Sequence, residues 1–377
     1  MKPIRPNGPF SPYDRSVSTL MNRRRFMKGA AAVTGGAAAA GMMAPTKSYA
    51  GNDISFLTWC DHTDARLIGL YEEAIGGKVN VKSYEGTGSA LATIEQSQPG
   101  DWDMFMCDFQ DTGMVSATGI IDQLDDSRVP WDGMFEGIQA QPHAYTNGKL
   151  YGVPDKFGYY GVAYNKDKVD PEDAKSGAIM YDPKYKGRIA VYDYYFVIMQ
   201  LVGISKGIIP ADITVENLES VIREPLLELK ANSLLTGDIL TTLNALHTES
   251  VDIIVGGAEW SVALDMANSP WLDYQYFDEG ALMWNEALSI VSDSENKDAV
   301  WDCIDTTLTP DGQRYLATSD CYWAMPVMKN TPLTDDEKAI LRWDEQPGIL
   351  ANSYPSTMGT PDVDAAMIDL WTEYLAS

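Results

Sequence analysis

The order of hydrophobic patterns in residues 54–107 constrains the fold more than any other feature of the sequence. Short apolar runs of strand length occur at 54–59, 78–84 and 102–107, and segments with helical spacing separate them. Such a strand–helix–strand–helix–strand series predicts a parallel sheet covered by helices, with ligands bound beyond the carboxyl ends of the strands. A second series of alternating elements follows residue 160, without a repeat of fixed period. The sequence therefore predicts an α/β fold with two lobes.

Two clusters of chemically useful side chains follow the first and third of these strands. Trp59 and Asp61 follow the first strand, and Cys107, Asp108 and Phe109 follow the third. If the two strands are neighbours, both clusters face one crevice, because parallel strands end at the same edge of a sheet. Each aromatic residue alone is equally well explained by core packing, but two clusters at equivalent strand ends favour a binding site.

The charge of the chain is divided between a basic leader and an acidic body. The 377 residues include 28 Lys+Arg and 54 Asp+Glu, for a net charge of −26. Residues 1–50 contain eight of the bases and one acid, so the remainder carries 20 basic and 53 acidic groups, or −33. The acidity of residues 51–377 argues against nucleic acid as a partner, because phosphate binding requires clustered Lys and Arg. It also argues against binding to an anionic membrane surface.

The leader has the features of an export signal. Residues 22–28 read NRRRFMK, which resembles the twin-arginine motif, and the 18 residues 29–46 are uncharged and rich in Ala and Gly. A transmembrane anchor is the alternative, but so Ala/Gly-rich a stretch is a weak membrane span. We therefore predict a signal peptide over residues 1–50, export by the twin-arginine machinery and a periplasmic mature protein. The motif residues and the residue before the cleavage point are Arg23, Arg24, Phe26 and Ala50.

Four cysteines follow the leader, an even number that permits disulfides in an oxidising compartment. Of the three possible pairings we favour Cys303 with Cys321, which would tie a helix to the loop after the next one. The two strand-end clusters alternatively make Cys60 and Cys107 near neighbours. No pair has CxxC spacing and the three histidines are scattered, so we expect no metal site.

Catalytic signatures are missing from the sequence. It contains no GxSxG, HExxH or P-loop motif and no cysteine cluster for an iron–sulfur centre. We therefore expect a protein without a cofactor and without enzymatic activity.

Several short motifs occur in a characteristic order over residues 54–330. The motifs are Trp59 at a strand end, residues 182–187 (DPKYKG) with Asp193 beyond the next strand, 279–284 (EGALMW), 296–299 (NKDA), 309–312 (TPDG), Tyr322 and Pro326. Their order and spacing resemble the spermidine/putrescine-binding branch of the periplasmic solute-binding proteins of ABC importers. The resemblance implies an α/β, two-lobed binding protein of type II, with each lobe a mostly parallel sheet flanked by helices.

The resemblance also implies a domain division and a mode of action. Hinge strands cross near residues 160 and 284, so the N-terminal lobe comprises 51–160 plus 284–330 and the C-terminal lobe 161–283 plus 331–377. A solute bound between the lobes closes them, and a permease with its ATPase recognises the closed form. The family resemblance implies a monomer.

In polyamine-binding members of the family, carboxylates hold the ammonium groups and aromatic rings cover the methylene chain, as expected for a desolvated cation. Trp284 and Tyr322 match family aromatic positions, and Glu286 stands where the family has Asp. Tyr194 and Val197, however, occupy positions where family carboxylates are expected. The candidate ligand-binding residues are Trp59, Asp61, Cys107, Asp108, Phe109, Asp193, Tyr194, Glu259, Trp260, Trp284, Glu286 and Tyr322.

These residues leave more than one ligand open. The first is a small cationic or zwitterionic solute of polyamine type, such as spermidine or putrescine. A quaternary ammonium or betaine-type compound could instead be held in a cage of Trp59, Trp260, Trp284 and Tyr322. Ferric iron is a further alternative, because Tyr194 and Tyr195 form a tyrosine pair. An exported enzyme is the least favoured interpretation.

Overall fold

The computed structural model describes residues 52–84, 86–139 and 145–377. The predicted twin-arginine motif, the cleavage position and the rest of the leader over residues 1–50 lie outside the described residues.

The first lobe is built on a seven-stranded sheet in the order β13-β6-β12-β3-β1-β2, with β14 beside β12. β1 pairs in parallel with both β2 and β3, so the first and third predicted strands are neighbours, as expected. The two strand-end clusters therefore lie at the same edge of this sheet. The strands are β1 (Ile54–Thr58), β2 (Val79–Ser83), β3 (Met104–Asp108), β6 (Val153–Tyr160), β12 (Ala281–Ile290), β13 (Met325–Pro326) and β14 (Ser353–Pro355).

The second lobe is built on a five-stranded sheet in the order β11-β7-β10-β8-β9. Both sheets are mixed, whereas mostly parallel sheets were expected. The reason is that β12 runs antiparallel to β3 and β6, and β7 runs antiparallel to β10 and β11. The strands are β7 (Val162–Asn165), β8 (Ile189–Tyr192), β9 (Ser233–Gly237), β10 (Ile253–Val255) and β11 (Leu272–Gln275), and β4 (Tyr145–Thr146) with β5 (Lys149–Leu150) forms a separate hairpin.

Helices cover the sheets of both lobes. Among the described residues, none of these helices combines the length and the apolar character that a membrane crossing requires. The α-helices are Ala65–Ile75, Thr87–Gln96, Thr112–Thr118, Glu136–Gln139, Pro171–Ala174, Tyr195–Ser205, Val215–Asn217, Arg223–Asn232, Ile239–His247, Glu259–Met266, Lys297–Thr307, Pro310–Ala317, Asp335–Ile340, Gln346–Ala351 and Pro361–Ala376.

Each lobe has an apolar interior that anchors its helices. In the first lobe the helix Lys297–Thr307 packs on Ala65–Ile75, and the Tyr71 hydroxyl lies 2.7 Å from Thr307 Oγ1. In the second lobe the helix Tyr195–Ser205 is buried on nearly every side, and Pro361–Ala376 packs against it. The apolar cluster of the first lobe continues into the second lobe and includes Ala163, Ile254 and Tyr274, so the lobes are also joined by packing.

The chain passes between the lobes at three places. It crosses at Gly161, between β6 and β7, and again over residues 276–280, between β11 and β12. A Cβ atom on residue 161 would collide with the carbonyl oxygen of Gln275, so the two hinge segments lie against each other. The third passage follows β14. Residues 353–355, which the sequence division assigns to the second lobe, pair with β12 in the first sheet, and the helix Pro361–Ala376 then joins the second lobe.

Candidate ligand-binding site

A cavity of about 850 Å³ lies between the two lobes, at the edge where β1 and β3 end. This volume is typical of sites for small molecules. Seven of the twelve candidate residues inferred from the sequence lie on its wall, namely Trp59, Asp108, Tyr194, Trp260, Trp284, Glu286 and Tyr322. The wall also includes Tyr84, Tyr160, Tyr192, Asp238 and Asp265, together with several aliphatic and small residues.

Two carboxyl groups of the first lobe, those of Glu286 and Asp108, belong to neighbouring strands on the cavity wall. Glu286 of β12 pairs directly with Asp108 of β3 in the antiparallel register, so their side chains lie on the same face of the sheet. Glu286 is only 3% exposed, and its Oε1 accepts a hydrogen bond from the Tyr322 hydroxyl. Its Oε2 is buried without a hydrogen-bond partner in the structure. The free oxygen of Glu286 is therefore the strongest acceptor that the cavity offers to a ligand.

The surroundings of both carboxyl groups favour their protonated forms. Burial, reinforced by the negative charge of Asp61, raises the pKa of Glu286 well above its ordinary value. Burial and the neighbouring Asp111 likewise raise the pKa of Asp108. Burial is the largest cause of both shifts, because a carboxylate is unfavourable when it is removed from water. Lys156 and His62 oppose the shift of Glu286 but do not cancel it. A ligand cation would supply the missing charge and reverse the preference.

Aromatic rings form a large part of the remaining wall. Trp59 and Tyr84 have ring centroids 5.2 Å apart, and the centroids of Trp284 and Tyr322 are 6.3 Å apart in an edge-to-face arrangement. In the second lobe the Trp260 ring lies 5.6 Å from that of Tyr192. Rings that pack against one another have little freedom to rotate, so they present pre-arranged π-faces to a ligand.

A buried network of charges lies behind the wall and accounts for Asp61. Lys156 Nζ donates to Asp61 Oδ2 at 2.7 Å, and His62 lies between Asp61 and Asp155, with Nδ1–Oδ1 and Nε2–Oδ2 distances of 3.2 and 2.6 Å. Lys156 also lies over the Tyr322 ring, 3.7 Å from its centroid. Asp61 was a candidate ligand residue, but it faces this network because a buried carboxylate requires a paired cation.

Three groups near the network are close enough to be considered for a metal ion. One oxygen or nitrogen from each of Asp61, His62 and Glu286 lies within 4.8 Å of the others. Both ring nitrogens of His62, however, face carboxylates. Burial alone would lower the pKa of His62, but Asp61 and Asp155 raise it to about 10. A protonated imidazole has no lone pair for a metal, and the ammonium of Lys156 already neutralises Asp61, so this donor set is poorly suited to an ion.

Four further candidate residues also lie away from the cavity. Cys107 and Phe109 are buried in the interior of the first lobe. Asp193 accepts a hydrogen bond from the Trp371 indole at 2.9 Å. Glu259 accepts from the Tyr159 backbone N–H and the Tyr276 hydroxyl, both at 2.8 Å, and burial raises its pKa to about 7. The two acidic groups are thus engaged by partners within the fold.

The structure pairs Cys60 with Cys321, with 5.9 Å between their Cα atoms. The predicted bond between Cys303 and Cys321 is therefore wrong, and Cys60 and Cys107 are not bonded to each other. Cys303 and Cys107 are buried free thiols, because their elements turn them into the packed interior. Cys60 begins a short 3-10 helix (Cys60–Thr63) and Cys321 lies in a loop. Both line the cavity wall, next to Trp59 and Tyr322.

Three aromatic wall residues were not predicted from the sequence, although they occupy strand ends in the same way as Trp59 does. Tyr84 follows β2, Tyr192 ends β8 and Tyr160 ends β6, so all three are strand-end residues. The tyrosine pair considered for iron does not converge. Tyr194 lies on the cavity wall, whereas the Tyr195 hydroxyl donates to Asp364 Oδ1 at 2.5 Å in the second lobe.

Comparison with known proteins gives a consistent set of matches. The model of the family described as "Bacterial extracellular solute-binding protein" matches residues 103–346, well over half of the chain. The spermidine/putrescine-binding periplasmic protein of Escherichia coli K12 is 22% identical over 289 residues, covering 76% of this chain and 81% of that protein.

Solved structures share the fold at lower identity. The spermidine/putrescine ABC transporter substrate-binding protein of Streptococcus pneumoniae superposes with a TM-score of 0.73 at 16% identity, covering 86% of this chain and 99% of that one. A periplasmic binding protein of A. tumefaciens B6, solved in complex with glucopine, superposes with a TM-score of 0.64 at 16% identity and covers 84% and 99%. These likenesses establish the two-lobed α/β binding-protein fold.

Proposed function

The chain belongs to the family of bacterial extracellular solute-binding proteins, and from this premise we propose that it captures a small organic cation for an ABC importer. As a member of that family it binds its solute and does not transform it. The proposal places the ligand in the cavity between the lobes, where it would draw them together.

The charge of the cavity wall carries this proposal. Four carboxylic acids line the cavity (Asp108, Asp238, Asp265 and Glu286), whereas none of its described lining residues is Lys, Arg or His. A wall of one sign attracts ligands of the opposite sign and raises their local concentration. The unpartnered oxygen of Glu286 provides a direct acceptor for an ammonium N–H. A zwitterion is less well supported, because its carboxylate would find no cationic side chain on the wall.

An amine of the polyamine type is the first candidate for that cation. Relatives matched over three quarters of this chain are named for spermidine and putrescine. The aromatic walls and the carboxyl pair would cover a methylene chain and bind an ammonium group, respectively. The partners would be a membrane permease with its ATPase, and the site of action the periplasm, reached by the twin-arginine route that the leader predicts.

A quaternary ammonium compound is a second candidate, and a betaine is the zwitterionic member of this class, which the wall supports less well. Trp59, Trp260, Trp284 and Tyr322 all lie on the cavity wall, as a cage for a methylated cation would require. Such cages attract the cation through ring faces and need fewer hydrogen bonds than a primary ammonium.

Isothermal titration calorimetry of the mature protein would test the proposal with spermidine, putrescine, choline, glycine betaine and a ferric salt. We expect at least one organic cation to bind, and Glu286→Gln to weaken that binding by about 1.5–3 kcal/mol, the value of a charge-assisted hydrogen bond. Asp193→Asn is the matched control, because Asp193 faces Trp371 and the amide oxygen can still accept from the indole. Failure of every organic cation to bind, or equal effects of the two variants, would contradict the proposal.

A further inference from the structure

We propose that the cavity recognises a single positive charge, so that the ligand is a monovalent organic cation with an apolar body. The inference rests on the proposed function and narrows it, since an amine charged at both ends would use only one of its charges.

The wall has one strong binding position for a cation. Glu286 and Asp108 are direct cross-strand partners, so their side chains begin about 5 Å apart on one face of the sheet. Ionising both carboxyl groups of one buried face of the sheet is unfavourable, and a single cation is enough to stabilise one of them in its charged form. A single ammonium group is therefore enough to neutralise this binding position, formed by Glu286 and Asp108.

The charged groups behind the wall do not add a second binding position for a cation. Asp61 and Asp155 are balanced by Lys156 and His62, with each acid within 2.7 Å of a basic nitrogen. The set of four is neutral when all are charged, so the positive ligand is left to Glu286 and its partner across the strands.

The two acids of the second lobe already have partners within the fold. Asp238 caps the helix Ile239–His247, and its Oδ1 accepts from the Thr241 backbone N–H at 2.7 Å. Asp265 Oδ2 lies 3.2 Å from His247 Nε2. A second ammonium group would have to compete with these contacts, which stabilise the helix and its end.

The second-lobe wall also contains four aliphatic side chains close in sequence to these two acids. Ile239, Leu240, Leu243 and Leu264 line the cavity, and Leu240 is 77% exposed, the most exposed of the large hydrophobic residues described. A hydrocarbon body placed here would cover Leu240 and remove its surface from water, whereas an ammonium group would lose its hydration without a paired charge. The cavity thus has one acidic end and one apolar end.

Three probes with the same four-carbon chain separate the possibilities: n-butylamine, putrescine and 4-aminobutyrate, titrated calorimetrically into the mature protein at pH 7. We expect n-butylamine to bind at least as tightly as putrescine and at least tenfold more tightly than 4-aminobutyrate. Putrescine binding tenfold more tightly than n-butylamine, or 4-aminobutyrate binding most tightly, would overturn the inference and leave the proposed cation-binding function standing. If neither these probes nor any organic cation of the wider panel bound, the proposed function would fall and the inference with it.

A pair of variants tests the role of the apolar end directly. Leu240→Asp places a second carboxylate on the wall, and we expect it to shift the ratio of putrescine to n-butylamine affinity at least tenfold toward putrescine. Leu234→Asp is the control, because Leu234 is also exposed, at 53%, but does not line the cavity. Both changes replace exposed side chains, so melting temperatures are expected to stay near that of the parent. An unchanged affinity ratio in folded Leu240→Asp protein would overturn the inference.

Discussion

Gly158 stands directly opposite Trp284 on the antiparallel strands β6 and β12, and the indole lies across the place where a side chain on residue 158 would begin. A Cβ atom there would collide with the Trp284 ring and with Glu259 Oε1. The orientation of a cavity-wall tryptophan therefore depends on the lack of a side chain on the neighbouring strand.

Gly158→Ala is expected to displace Trp284, to weaken ligand binding and to destabilise the fold by about 1–3 kcal/mol, the usual cost of overpacking. Thermal melting and ligand titration would measure both effects. Gly69→Ala is the control, since an exposed helical glycine with free space around it should gain up to about 1 kcal/mol on replacement by alanine. A Gly158→Ala protein with unchanged melting temperature and affinity would show that Trp284 is not held in this way.

Cation affinity is expected to rise with pH. The pKa values of Glu286 and Asp108 are raised, so the unliganded carboxyl pair holds a proton that a bound cation must displace. Binding therefore releases protons, and lower pH opposes it. Calorimetry in buffers of different ionisation enthalpy, between about pH 5 and 8, would count the released protons. The Glu286→Gln protein should release fewer, and an affinity independent of pH in the parent would contradict the prediction.

Removing the disulfide by the double change Cys60→Ser and Cys321→Ser is expected to lower both stability and ligand affinity. The bond closes a loop between residues 261 positions apart, and losing such a constraint typically costs about 2–4 kcal/mol. Affinity should fall because each cysteine adjoins an aromatic wall residue, Trp59 or Tyr322. A reducing agent should lower the melting temperature of the parent protein and leave the double variant unchanged. An equal change of melting temperature in both proteins would show that the reducing agent acts at a group other than this disulfide.

The buried histidine is expected to make stability decline in alkaline solution. The pKa of His62 is about 10 in the folded protein against an ordinary value of 6.5, so the folded state binds the proton more tightly than the unfolded state. The resulting stabilisation is fully present below pH 6.5 and is lost as the pH rises toward 10. Denaturant unfolding at a series of pH values would measure the free energy of unfolding.

His62→Gln should flatten this decline, and His247→Gln should preserve it because His247 lies outside the buried network. A parent protein whose stability is constant from pH 6.5 to 10, or a decline that persists fully in His62→Gln, would be inconsistent with a protonated His62.

Local patterns were enough to predict the framework of the site. The period-two and helical spacings located β1, β2 and β3 within a few residues, and the structure meets the condition that β1 and β3 are neighbours. Trp59 and Asp108 reach the cavity for that reason. Strand-end position depends on the nearest few residues, which a sequence displays directly.

Contacts between distant segments were not predictable in the same way. Asp61 has the composition and location of a ligand residue, and only the position of Lys156, 95 residues further along, turns it toward the interior. Cys321 had several chemically equivalent partners, and the choice of Cys60 depends on how the loop before β13 meets the end of β1.

The sequence by itself determined the two-lobed α/β class and the acidic character of the body, because these follow from local periodicity and composition. Its resemblance to a known family supplied wall residues such as Trp284 and Tyr322. The tertiary structure decided which acids face the cavity and which are neutralised behind it. Those outcomes depend on burial and on the distance to the nearest opposite charge. Both quantities arise only when strands remote in the chain are brought together.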